Sequence, residues 1–129
     1  MSKAKLSNRR LLEDIQRLGR ISQKQLPVKI SYAVAKNISK IESELKVYNK
    51  ERQKLIDKYA KKDDKDNPIA DEKGQIEFQN QKGWDKDIKI LLDIENEIDV
   101  HTFSINLLEG FNISPAEMQA LDYMIDEEK

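Results

Sequence analysis

His101 is the only histidine in this 129-residue chain, and it follows Glu97 and Asp99 at every second position. If a strand begins at Glu97, that alternation sets two carboxylates and an imidazole on one face, a donor set suited to a hard or borderline metal. The simpler reading is a strand-edge histidine in an acidic stretch. The run Asp63, Asp64, Asp66 suggests calcium, but the EF-hand order, with Gly sixth and Glu twelfth, does not fit from Asp63 onward. There is no cysteine, and the four glycines are scattered. Neither a thiolate metal site nor a phosphate-cradling glycine loop is therefore expected, and no nucleophile sits beside a base. The expectation is a protein that is not an enzyme and has no catalytic residue, no metal and no cofactor.

Charge is distributed unevenly. Residues 1–29 carry eight Lys or Arg against two acids (+6), residues 30–84 twelve against ten (+2), and residues 85–129 three against twelve (−9). A basic start suits phosphate or an acidic surface, and an acidic end suits a basic partner. The two ends could equally attract each other within the fold. Arg9, Arg10, Arg17 and Arg20 offer a weak nucleic-acid face, since no aromatic or base-reading groups are interleaved with them.

The elements that must position these residues start with 28–60, a helical pattern without Gly or Pro. Val34, Ile38, Ile41, Leu45, Tyr48, Leu55 and Tyr59 form a heptad-like seam, interrupted only by Arg52. At a rise of about 1.5 Å per residue such a helix spans roughly 50 Å, more than a small core needs, so part of it is expected to project or to meet a partner. Before it, Ser7 reads as the N-cap of a first helix, with Leu6 stapling onto Leu11 and Gly19 closing the helix. Pro27 sits at the start of the long helix.

The charged run 61–68 reads as a loop. A hairpin follows over Ile69–Phe78 with Gly74 in its turn, and its Ile69, Ile76 and Phe78 are candidate contacts for a partner, together with Arg9, Arg10 and Arg17. Trp84, Ile88, Leu91, Leu92, Glu95 and Ile98 then return as an antiparallel helix against the Leu45–Tyr59 half. Beyond it, 100–107 alternates as a strand with Phe103, Ile105 and Leu107 on one side, and Gly110 breaks it. Ser114, Pro115 and Glu117 form a capping box for a last helix through Ile125, with Ile113 stapling Met118 and residues 126–129 fraying.

The expected fold is a single domain over 1–129, mainly α with a small β component (α+β). It comprises a basic helix (1–26), a helical hairpin with a β-hairpin tip (27–98), and a C-terminal strand and capped helix (99–126). With 36% charged residues the core is modest, and self-association is one source of stability. No signal peptide or membrane span is expected, and the missing cysteines favour a reducing cytoplasm.

The segments Lys29–Asn37 (KISYAVAKN), Glu51–Tyr59 (ERQKLIDKY), Glu97–His101 (EIDVH) and Ile113–Glu117 (ISPAE) resemble a family of small phage and prophage proteins of Gram-positive bacteria. The likeness covers about residues 27–125 and leaves the basic first helix outside. It implies a phage origin and expression in the host cytoplasm, and brings no assigned activity. Two roles follow: an accessory protein that binds a host or phage protein, or a virion assembly subunit built on self-contacts.

Overall fold

The computed structural model describes residues 2–126, so the expected fraying at 127–129 lies outside the described residues. The order is β1 (Ser2–Ser7), α1 (Asn8–Ile21), α2 (Val28–Tyr59), α3 (Gln81–Asp93), β2 (Glu95–Val100), β3 (Phe103–Ser104), a 3-10 turn (Ile105–Leu108), α4 (Pro115–Leu121), a 3-10 turn (Asp122–Met124) and β4 (Ile125–Asp126). The architecture is mainly α with two small two-stranded sheets, one antiparallel and one parallel. Packing divides the described residues into two units. One holds the chain up to Leu45 and from Glu95 onward, and the other is Lys46–Ile94.

In the first unit β1 pairs antiparallel with β2, from Ser2 opposite Val100 to Ser7 opposite Glu95. Lys3 faces Asp99 and Lys5 faces Glu97 across this ladder, so opposite charges occupy the outward positions while Leu6, Ile98 and Val100 are buried. Ser7 then caps α1, its side chain accepting from the Arg10 N–H. Leu11, Leu18 and Ile21 are fully buried along α1, as are Ile30 and Leu121.

Four expectations change here. Gly19 does not close the first helix, which continues to Ile21 because that side chain is fully buried. The return helix ends at Asp93, not Ile98: Ile98 has the spacing of a helical seam, but its backbone is claimed by β1 and it joins the inward row of a strand. Of the strand expected over 100–107, only Val100, at the end of β2, and the short β3, Phe103–Ser104, are extended. Ile105 starts a 3-10 turn and is exposed, and Leu108 is buried instead. Likewise α4 stops at Leu121, after which Ile125 and Asp126 pair in parallel with Phe103 and Ser104.

In the second unit, residues 61–79 hold two hairpins where one was expected. Lys61 N–H donates to the Glu77 carbonyl, Ile69 N–H to the Lys61 carbonyl and Glu77 N–H to the Ile69 carbonyl, each at 2.9 Å, closing a triangle of three extended segments eight residues apart. The turns repeat with the same period. Asp63 Oδ1 accepts from the N–H groups of Lys65 and Asn67, and Asp71 Oδ1 from those of Lys73 and Gln75. The left-handed position is Asp66 (φ 67°) in the first turn and Gly74 (φ 78°) in the second. Asp tolerates that conformation because its short polar side chain bonds locally, so the first turn forms without glycine.

Asp66→Gly should therefore preserve or slightly raise the stability of this segment. Asp66→Val should lower it by about 1–2 kcal/mol, since a β-branched side chain opposes positive φ. Amide exchange at Lys61, Ile69 and Glu77 reads this directly, and equal protection in both variants would contradict the turn assignment.

Candidate functional site

The possible metal triad does not assemble. Glu97 Oε1 is 3.2 Å from Lys3 Nζ in an exposed ion pair, and the Asp99 carbonyl accepts from Lys40 Nζ. His101 lies past the end of β2, where the fully buried Asn37 holds its backbone from both sides. The His101 N–H donates to Asn37 Oδ1 at 2.8 Å, and Asn37 Nδ2 donates to the His101 carbonyl at 2.9 Å. The imidazole meets the Tyr32 ring edge-on, with ring centres 5.8 Å apart. Partial burial, then the ammonium groups of Lys40 and Lys36, lowers its pKa and favours the neutral ring. No group of three or more His, Asp or Glu placed to hold a metal occurs among the described residues.

On the basic face of α1, Arg10 and Arg17 are engaged with acids. Arg10 donates from Nε to Asp14 Oδ2 at 3.0 Å, and from Nη2 to the Gln119 carbonyl and Asp122 Oδ1 at 2.8 Å each. Its guanidinium also lies 5.2 Å from the centre of the Tyr123 ring. Arg17 Nη1 is 3.7 Å from Asp14 Oδ1, while Arg9 is exposed. Asp14 is buried, and burial raises its pKa against the opposing pull of Arg10. Beside it the Tyr123 hydroxyl is buried without a hydrogen-bond partner, and burial first, then the Asp14 carboxylate, pushes it well above the ordinary phenol range.

Lys24 completes the link between the charged ends, donating to the Asn112 carbonyl and to Glu117 Oε1 at 2.9 Å each. Glu117 and Ser114 form the expected capping box. The basic start and the acidic end thus meet at Lys3–Glu97, Arg10–Asp122 and Lys24–Glu117.

In the second unit Phe78 stacks on Trp84 with ring centres 4.3 Å apart. Ile69 and Ile76 are half-buried, and the backbone edges beside all three are drawn into the hydrogen-bonded triangle. The open strand edge expected at this hairpin is absent from the described residues, because a third segment closes it. Of the expected helical seam, Val34, Ile41, Leu45, Tyr48 and Leu91 are buried, whereas Ile38, Leu55, Tyr59, Trp84 and Ile88 are half-buried. Ile56 is buried in the interval that the seam assigned to Leu55. Near the end of α2, the Tyr59 hydroxyl donates to Asp87 Oδ2 at 2.6 Å. The Tyr59 ring also occupies the space where a side chain at Gly83 would lie, its Cε1 only 2.5 Å from a Cβ built there.

Each unit carries a concavity with apolar walls. In the first unit a cleft of about 640 Å³ is lined by Tyr32, Phe103, Leu107, His101, Lys29 and Asp126 among others. In the second, a groove of about 440 Å³ runs between α2 and α3, with Leu55, Ile90, Leu91 and Ile94 inside it and Glu51, Lys54, Lys58 and Asp87 along its rims. Ile90 is 56% exposed and Ile94 48%, and Val47 on α2 is 60% exposed. These three fall outside the heptad-like seam. Their signal was available: apolar residues on the polar side of an amphipathic helix.

Comparison with family models, curated proteins and solved structures returns no match.

Removing the amide in Asn37→Ala should destabilise the protein by on the order of 2 kcal/mol or more, because it strands two backbone groups at His101. Denaturant unfolding measures this, and a loss below a few tenths would contradict the assigned role. Tyr123→Phe should be neutral or stabilising, since the hydroxyl it deletes is buried and unpartnered. Glu117 supplies a third expectation. The Lys24 hydrogen bond first, then the Ser114 N–H, lowers its pKa, so its stabilisation is full above the ordinary carboxylate range and is lost as pH falls through the lowered value. The stability difference between wild type and Lys24→Met should accordingly shrink in acid, and a difference independent of pH would contradict it.

Proposed function

We propose that this protein acts by protein–protein interaction rather than by catalysis, and that the groove between α2 and α3 of the Lys46–Ile94 unit is its contact surface. The observation that carries this reading is the exposure of Ile90 and Ile94 on the wall of an apolar groove rimmed by charge. Large apolar side chains grouped in this way gain most when another polypeptide removes them from water. An occupant that presents a helix face suits a groove between two helices.

The resemblance to small phage proteins supports an accessory factor in the host cytoplasm that binds a bacterial or phage protein. The same groove also supports assembly through self-contact in a phage particle. No described helix is long and apolar enough to cross a membrane. A nucleic-acid role draws little from α1, where Arg10 and Arg17 are paired with acids.

Ile90→Asp places a charge in the centre of the groove and should weaken any association made there by at least about tenfold, as expected for a central apolar contact. The comparison is copurification of tagged wild type and Ile90→Asp from bacterial cells, with circular dichroism showing equal helicity. Proteins, including further copies of the chain, recovered with wild type and lost with the variant support the reading. Equal recovery with both contradicts it.

A further inference from the structure

We propose that the cleft of the first unit binds a small organic monoanion: a carboxylate carried on a short apolar or aromatic body, as in an aryl-alkanoic acid or the C-terminal residue of a peptide. The cleft lies within the first unit, so the inference does not rest on the groove. Its lining comes from segments far apart in sequence. The start of α2 supplies Val28, Lys29 and Tyr32, and the stretch through β3 into the following 3-10 turn supplies His101, Phe103 and Leu107. A volume of about 640 Å³ is in the range of small-molecule sites. Val28 is 82% exposed and Tyr32 56%, so the apolar body of a ligand would remove from water a surface that the described residues leave open.

The charge around this cleft favours an anion. Lys29 has no hydrogen bond or ion pair among the described residues. Lys36 Nζ lies 5.6 Å from the centre of the Tyr32 ring, and Lys40, bonded to the Asp99 carbonyl, acts with Lys36 to lower the pKa of His101. Asp126 is the one acid in the lining, and its Oδ2 already accepts from the Thr102 hydroxyl at 2.7 Å. Uncharged donors stand beside the cations. The ring nitrogens of His101 have no partner among the described residues, and Ser104 Oγ, which accepts from the Asn106 N–H at 3.3 Å, keeps its own O–H to donate. An unpaired ammonium with an imidazole and a hydroxyl nearby suits one carboxylate. A cationic ligand would instead meet the field of three lysines, and a bare inorganic anion would leave the apolar walls unused.

His101 is the only histidine, so its imidazole proton resonances report on the cleft without ambiguity. The test titrates the full chain with phenylpropanoate, with its uncharged amide and with N-acetyl-glycyl-phenylalanine, which ends in a free carboxylate. At least one of the two acids should shift the His101 resonances saturably and raise the His101 pKa, because a carboxylate beside the ring favours the imidazolium. The amide should leave that pKa unchanged. A tighter response to phenylpropanoate assigns the cleft to a free small acid, and a tighter response to the peptide assigns it to a chain terminus. Lys29→Met, at an exposed and unpaired position, should keep the helicity seen by circular dichroism and weaken binding of the acid by about threefold or more, as for a partly exposed ion pair. The proposal is overturned if neither acid gives a saturable shift, if the amide acts on His101 as the acids do, or if Lys29→Met binds the acid as tightly as wild type.

Discussion

Antiparallel pairing of β1 with β2 joins residues 88 to 98 positions apart and fixes what surrounds them in the first unit. Closing so long a loop is entropically costly, and the ladder offsets that cost with backbone hydrogen bonds, a buried row of Leu6, Ile98 and Val100, and facing lysines and acids. Once β1 is in place, Ser7 starts α1 at the next residue. From there Arg10 reaches Asp14, Asp122 and the Gln119 carbonyl, while Asn96 of β2 donates to the Leu6 carbonyl and to Asn8. Asn37 and Lys40 of α2 take the backbone groups of β2 and its continuation that β1 leaves unpaired. The charge asymmetry between the two ends of the chain is therefore in large part internal, a property of a sheet and its flanking ion pairs.

That consumption of charge shapes the functional reading. Arg10 and Arg17 are drawn to Asp14, and Lys3 and Lys24 to Glu97 and Glu117, which takes half of the arginines of α1 away from phosphate. The apolar surface follows the opposite logic. Ile90 and Ile94 have no counterpart in the described residues that covers them, and Glu51, Lys54, Lys58 and Asp87 rim the groove that holds them.

Legibility in the sequence followed the range of the interactions. The Ser7 cap and the Ser114–Glu117 capping box were readable because each depends on residues three positions apart, and α2 was readable from its uninterrupted periodicity. β1 was not, since Lys3 to Leu6 is a short alternation whose strand character comes entirely from a distant partner. Ile98 misled for a related reason: the spacing from Trp84 through Leu91 extends to it, and only pairing with Ala4 makes it a strand residue. The first hairpin was hidden because Asp66 takes the conformation that Gly74 advertises eight residues later. The proposed interaction surface was half-legible. Leu55 and Leu91 lay on the seam, but Val47, Ile90 and Ile94 sit off it, and a seam-based reading assigns such residues to the solvated face.

On the function proposed above, contact with another polypeptide is made by the groove face and not by the charged ends. Hydrogen exchange followed by mass spectrometry, at low and at high protein concentration, tests this most directly. Slower exchange at high concentration over residues 51–58 and 86–94, with β1 and α1 unchanged, is the predicted result. Concentration-dependent protection of β1 or α1, with the groove segments unaffected, would contradict it.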